Sequence, residues 1–241
     1  MLKEIVKAVL EKTPYRIVRD RGANRFQAID AALNNMRDRG YQPRVVIDGG
    51  AHLGLFSFET KKIFPAAAFH LVEPQPSCIE PLRALCAKEG FVLHECALSD
   101  RVGQLGMSLA DGPNTGVHVE ISRNDAVTLV RATTLDALFG NIVGIEDRAL
   151  LKLDLQGYEL HALRGGAMLL SSIEIILTEV SFFSQAYEPS ILELLAFLDE
   201  KGFLLYDVAA LAGRTRDNRL RQGDLIFARK GTRLLEDGNW A

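Results

Sequence analysis

Val45-Val46-Ile47-Asp48-Gly49-Gly50-Ala51-His52-Leu53-Gly54 is the stretch from which the rest of the chain is read. Three β-branched apolar residues run into an acid, then into a glycine-dense turn, then into an apolar-rich segment. That order predicts a buried strand, a tight loop and a helix beginning near Leu53. Glycine in such a loop permits positive φ and lets another group approach the backbone where a Cβ would stand. The helix start would point unpaired backbone N–H groups at whatever the loop holds.

What the loop lacks narrows the ligand. A dinucleotide fingerprint, G-x-G-x-x-G, needs a further glycine two residues before Gly50, and Asp48 stands there. An acid at the strand end repels a pyrophosphate and suits a ligand carrying a cation such as an ammonium. S-adenosylmethionine has one, beside its carboxylate and sulfonium. The D-x-G-x-x-x-G pattern of Asp48, Gly50 and Gly54 is similar to the first motif of Rossmann-like methyltransferases, with His52 where many have a middle glycine. Taken alone, the stretch also reads as an ordinary strand-turn-helix corner.

Downstream, a helix over 54–63 leads to Phe69-His70-Leu71-Val72-Glu73, a second strand ending in an acid. Glu73 follows Asp48 by about 25 residues, close to the roughly 20-residue offset of a ribose-binding acid in a βαβ unit. Ser77-Cys78-Ile79-Glu80 has the form of a capping box, opening a helix that buries Ile79, Leu82 and Leu85 and stops at Gly90. Phe91 to Leu98 reads as one strand, with Ala97 and Leu98 placed to flank an adenine. Upstream, residues 2–10 and about 23–38 have helical spacing, the second with Phe26, Ile29, Leu33 and Met36 on one face. We read 1–43 as a helical cap in the same domain as 44–231. It is a covering layer for the sheet, or alternatively a lid or a homodimer surface.

Residues 101–131 break the strand-helix rhythm. Val117, Val119, Ile121, Val127 and Leu129 alternate with polar residues around a strong turn signal at Asp111-Gly112-Pro113-Asn114, which predicts an inserted hairpin or short extra strands. Thr134 to Leu138 reads as a capped short helix. In Leu150 to Gly157, Leu151, Leu153 and Leu155 share one face, and Lys152, Asp154 and Gln156 the other. A polar face on a central strand is costly unless partners or a ligand meet it. Lys152 pairing with Asp154 or Glu179 is the structural alternative. Ile173 to Val180 is a further strand, and Ser190 to Glu193 a second capping box. Phe203–Val208 and Asp224–Arg229 are the last two strands, joined by an arginine-rich loop.

Composition bounds the partners. The chain has 241 residues, 48% hydrophobic and 24% charged, enough for one α/β domain with a large core. A net charge of −3 gives no basic field for nucleic acid or an anionic membrane. There is no apolar run of membrane-spanning length and no signal-peptide core. Three cysteines without a C-x-x-C read as reduced thiols of a cytoplasmic protein. Scattered histidines give no zinc pattern, and two carboxylates, Asp154 and Glu179, are weak grounds for Mg²⁺, so no metal is expected.

Several blocks together carry a family resemblance: Val46 to Gly54, Val72-Glu73-Pro74, Ala97-Leu98-Ser99-Asp100, Thr134-Leu135-Asp136, Leu151 to Glu159, and Asp224-Leu225-Ile226-Phe227. In this order, over about 44–230, they resemble the successive blocks of FkbM-type methyltransferases. Many members have Glu at the position of Gln156 and Asn at that of His52. The resemblance implies a Rossmann-like class I α/β fold, a seven-stranded mostly parallel sheet with helices on both faces. It implies S-adenosylmethionine as cofactor and O-methylation of a hydroxyl on a sugar, polyketide or similar small metabolite.

The cofactor candidates are Asp48, Gly50, His52, Gly54, Glu73, Ala97 and Leu98. The catalytic candidates are Asp154, Lys152 and Glu179, because a hydroxyl must shed its proton near the transition state. Glu159 and His161 lie nearby, the latter read as a surface residue. Arg214, Arg216, Arg219 and Arg221 could meet a phosphorylated or nucleotide-linked acceptor, or form a solvated loop. A non-catalytic S-adenosylmethionine-binding module and a nicotinamide-dependent oxidoreductase are the competing readings, the latter disfavoured by Asp48.

Overall fold

The computed structural model describes residues 25–108, 118–119, 127–183 and 189–236. The helix expected over 2–10 and the turn expected at 111–114 lie outside the described residues.

The elements run α1 (Arg25–Asp38), β1 (Val45–Gly49), α2 (Leu55–Ile63), β2 (Ala68–Val72), α3 (Pro76–Glu89), β3 (Val92–His94), β4 (Ala97–Leu98) and β5 (Gly103–Ser108). They continue with β6 (His118–Val119), β7 (Val127–Thr133), α4 (Leu135–Phe139), β8 (Ala149–Leu153), α5 (Glu159–Arg164), β9 (Ile173–Ser181), α6 (Ile191–Glu200), β10 (Phe203–Arg214) and β11 (Leu220–Arg229). Seven strands form the main sheet in the order β10-β11-β9-β8-β1-β2-β3. All pairings are parallel except those of β11, which runs antiparallel to both β9 and β10. This is the expected Rossmann-like sheet.

Both faces are covered, which is why β1 and β8 are buried at every residue. On one face α1, α2 and α3 pack Leu33, Met36, Phe56 and Leu82 onto Val46, Leu71, Leu150 and Ile226. On the other, α4, α5 and α6 pack Leu135, Phe139, Leu163 and Leu198 onto Ile47, Leu151 and Ile176. No described helix is long and apolar enough to cross a membrane. Cys78, Cys86 and Cys96 are buried free thiols.

The structure revises several boundaries. α3 starts at Pro76, with Gln75 as its cap and no side-chain capping bond; proline is favoured at a helix's first position, where no N–H partner is needed. Its buried stripe is Cys78, Leu82 and Cys86 rather than Ile79, Leu82 and Leu85. Phe91 to Leu98 is two strands: the chain turns at Cys96, whose N–H donates to His94 O, and Ala97–Leu98 then pairs with β7 instead of the main sheet. There β4, β7, β5 and β6 form a second, four-stranded sheet, the extra strands expected after residue 101. β8 ends at Leu153, because Gln156 and Gly157 adopt positive φ and turn the chain away. Finally, Arg214 and Arg221 belong to β10 and β11, and only residues 215–219 form the tip of that hairpin, closed by Thr215 N–H on Arg219 O at 2.9 Å.

Candidate functional site

The site lies at the carboxyl ends of β1, β2 and β8, where a doubly wound sheet opens a crevice. After β1 the chain turns through Gly50 (φ 75°), His52 (φ 50°) and Gly54 (φ 78°). A Cβ at Gly50 would stand 2.0 Å from the Asp154 carbonyl oxygen, and one at Gly54 would stand 2.4 Å from Leu85 Cδ2. These glycines are therefore required by the packing of the loop against its own neighbours, before any ligand is considered. His52 occupies the left-handed region that glycine and asparagine enter most easily and histidine tolerates.

That conformation aims the His52 N–H at Glu73 Oε2, 2.7 Å away, while Gln75 N–H donates to Glu73 Oε1 at 2.9 Å. Two backbone donors thus lock the plane of a carboxylate that is 2% exposed, and each oxygen retains a free lone pair. Burial raises the Glu73 pKa above the usual glutamate value, against the pull of these two donors.

Asp48 is fully buried below the loop. Its Oδ2 accepts from Ser57 Oγ at 2.7 Å, and its Oδ1 lies 2.9 Å from Lys152 Nζ. Lys152 also donates to Gly50 O at 2.9 Å. Burial works against the ammonium, but Asp48 and then Asp154 hold its pKa above the ordinary lysine value. A lysine kept charged and tied to the loop is a girder for the Gly49-Gly50 turn rather than a base. The pairing of Lys152 with Asp154 or Glu179, the structural alternative from sequence, is replaced by the pair with Asp48.

The cation among the remaining acids is Arg25, from the first turn of α1. Its Nε and Nη2 fork onto Asp224 at 2.6 Å each, and Nη2 also lies 2.9 Å from Glu179 Oε1 and 3.1 Å from Asp154 Oδ2. Asp224 and Glu179 are register partners on β11 and β9, which sets them side by side. Gln156 Nε2 donates to Asp154 Oδ1 at 2.7 Å and to Glu179 Oε2 at 3.2 Å. An amide here supplies donors to two acids, where a glutamate would add a fourth negative charge. Burial pushes Glu179 up to about 8, with Asp154 adding to the effect and Arg25 opposing it. Asp154 is held below the usual aspartate value: burial opposes ionisation, but Lys152 and Arg25 outweigh it. Burial raises Asp224 in spite of its Arg25 fork. Glu159, pushed up to about 7 mainly by burial, accepts from Leu155 N–H at 2.7 Å. His161 stacks on Tyr158 with ring centroids 4.3 Å apart, and does not line the cavity. Among the described residues no histidine, cysteine and carboxylate cluster is arranged to hold a metal ion.

A cavity of about 190 Å³ joins these groups. It brings together Gly50, His52, Glu73, Ala97, Leu98, Lys152 and Asp154, with Phe56, Val72, Met107 and Leu155 as apolar wall. Asp48, Gly54 and Glu179 support it from behind without lining it. Arg25, Phe26 and Asp224 line it and were missed from sequence. Asp224 had one usable signal, an acid entering the apolar run Leu225-Ile226-Phe227; Arg25 had none.

The methyltransferase FkbM domain model matches residues 48–205, which includes the loop, Glu73, Asp154 and Glu179. The chain belongs to the FkbM methyltransferase family. Methyltransferase sdnD of Sordaria araneosa is 28% identical over 193 residues, covering 66% of this chain and 73% of that protein. The crystal structure of methyltransferase FkbM from Methylobacillus flagellatus is similar with a TM-score of 0.51 at 15% identity, over 77% of this chain. The match spans 43% of that larger protein, so the likeness is one of fold. Within the FkbM blocks, Asp136 of Thr134-Leu135-Asp136 has a structural job: its carboxylate accepts from Leu169 N–H at 2.7 Å and from Met168 N–H.

Proposed function

We propose that this FkbM methyltransferase transfers a methyl group from S-adenosylmethionine to a hydroxyl of a small metabolite such as a sugar or polyketide. The observation that carries the reading is the donor set of one cavity, lined by a pinned, buried carboxylate at Glu73 and by ionised Asp154. With Lys152 matched to Asp48, and Arg25 facing Asp154, Asp224 and Glu179, the cavity holds an excess of acid. Such a field favours a cofactor bearing ammonium and sulfonium groups.

In this reading Glu73 offers its free lone pairs to the ribose hydroxyls, and Ala97 and Leu98 flank the adenine. The Gly50–His52 loop holds the methionine end. Asp48 acts from below, through Lys152, by fixing the loop. When bound, the cofactor supplies an electrophilic methyl group. Asp154, kept ionised, orients the acceptor hydroxyl and draws its proton as the oxygen attacks. The apolar wall of Phe56, Met107 and Leu155 excludes water that would compete for the methyl group. Holding the two reactants in line supplies much of the acceleration.

Calorimetric titration with S-adenosylmethionine, S-adenosylhomocysteine and NAD, followed by a labelled-methyl screen of hydroxyl and amine acceptors, tests the proposal. Micromolar binding of the first two, no binding of NAD and label on oxygen are expected. No binding of S-adenosylmethionine, or label on nitrogen alone, overturns it.

A further inference from the structure

We propose that the protein binds a phosphate-bearing small molecule in a second cavity, at the end of the sheet opposite the methyl-transfer site. This cavity lies at the amino ends of β8 and β9, beside Arg148 and Ile173, whereas the first lies at their carboxyl ends. Its volume, about 570 Å³, falls in the range of small-molecule sites.

Five cations line it, Arg39, Arg148, Arg229, Lys230 and Arg233, against one acid, Glu174. Two of the five are neutralised nearby. Arg148 forks onto Glu174 at 2.7 and 3.0 Å, and Lys230 meets Asp199 at 2.6 Å. The other three have no carboxylate within ion-pair distance among the described residues. Arg39 donates only to neutral oxygens, Tyr206 Oη and Leu234 O, both at 2.9 Å. Arg229 Nε donates to Ile173 O at 2.6 Å, and its guanidinium lies 4.7 Å from the Phe203 ring centroid. Its Nη2 is buried with no acceptor among the described residues. Arg233 is exposed and forms no ion pair among the described residues. Arg39 and Arg233 thus gather without a carboxylate partner among the described residues, beside Arg229, which only Glu174 opposes from a distance, in a chain whose net charge is −3.

A buried charged donor without an acceptor is costly, and the described residues supply none. A phosphate oxygen in the cavity would meet Arg39 and Arg233, which are exposed, with Arg229 adding its charge from behind. Guanidinium forks match phosphate geometry in pairs, which a lysine patch does not. Three of them suit a pyrophosphate or a phosphate ester better than a single carboxylate. Ile145, 65% exposed on the rim, offers apolar surface to the organic part of such a ligand. The proposal is independent of the methyl-transfer reading.

Inorganic pyrophosphate, inorganic phosphate and ADP are titrated calorimetrically at low salt into the whole protein and into an Arg39→Gln/Arg233→Gln double variant. Both positions are exposed, and unchanged melting temperatures verify that the variant is folded. Pyrophosphate and ADP should bind the parent more tightly than phosphate, weaken steeply with salt, and lose roughly ten-fold or more in the variant. An Arg214→Gln/Arg216→Gln variant should bind as the parent does. No heat from millimolar pyrophosphate, or equal loss in both double variants, overturns the assignment.

Discussion

Replacing Arg25 by methionine keeps the aliphatic stem and removes the guanidinium that faces three acids. Two of them, Asp224 and Glu179, have side chains only 4% and 8% exposed, so water cannot take the place of Arg25 in full. Breaking a buried ion pair by removing one partner costs about 3–5 kcal/mol. Arg25 is itself 25% exposed, which puts the expected loss near the lower end, about 3 kcal/mol. For a domain of this size that is a fall in melting temperature of about 6–12 °C. The pH dependence is specific. Without Arg25 the folded-state pKa values of Asp224 and Glu179 rise further above their unfolded values. Stability tied to a raised carboxyl is complete below the unfolded pKa and lost as pH rises through the folded one. The deficit of the variant should therefore widen as pH rises above neutrality, through and beyond the value of about 8 at which Glu179 ionises in the parent. Calorimetric melts of parent and variant across that range measure it. A deficit under about 1 °C throughout, or one that does not change with pH, would refute Arg25 as the partner of these acids.

Other substitutions separate the remaining roles. Asp154→Asn keeps one oxygen, for either Gln156 or Arg25, and turns an NH2 to the other, so it should lose some stability yet stay folded and lower kcat by roughly a hundred-fold; full turnover excludes Asp154 from the chemistry. Lys152→Met leaves Asp48 charged in a fully buried place and should cost about 3–5 kcal/mol, much of it recovered in the Lys152→Met/Asp48→Asn double variant. Additive losses in a double-mutant cycle would show that the two residues are not a pair. Glu73→Ala should weaken S-adenosylmethionine binding by roughly ten-fold or more, and unchanged calorimetric affinity would remove Glu73 from the ribose. Glu179, pushed up to about 8 from an ordinary 4.5, stabilises the fold fully below the lower value and ceases to as pH rises through the upper. Glu179→Gln should flatten the decline between these limits, and a parent-like slope would mean that another group titrates there.

The parts of the site that were legible are local. Val45 to Gly54 reads as strand, turn and helix because apolar run, glycine and positive φ follow each other within ten residues. Glu73 is legible because a βαβ unit has a nearly fixed length. The Arg25 network was not, since Arg25 and Asp224 are 199 residues apart and neither interrupts a motif. The pairing of Lys152 was misjudged because alternation says which face a side chain shares, not which strand-end acid is nearest. Phe91 to Leu98 looked like one strand because hydrophobicity continues across Cys96 while the hydrogen bonds change sheets. Likewise the arginines of 214–221 draw the eye as neighbours in sequence, yet those that line the second cavity without an ion pair among the described residues come from just after α1, from the last residue of β11 and from beyond it.

The insertion of β11 between β9 and β10 has a bearing on biosynthesis. During translation, β9 and β10 emerge before the strand that must lie between them, so the sheet has a gap until β11 arrives. Asp224 arrives with it, and until then Arg25, among the first described residues to be made, lacks its closest acid. A nascent chain or a fragment lacking β11 holds Glu179 and Asp154 near an incompletely anchored α1. The cavity lined by Arg25 and Asp224 and the acid network therefore become complete in one late step, when β11 fills the gap.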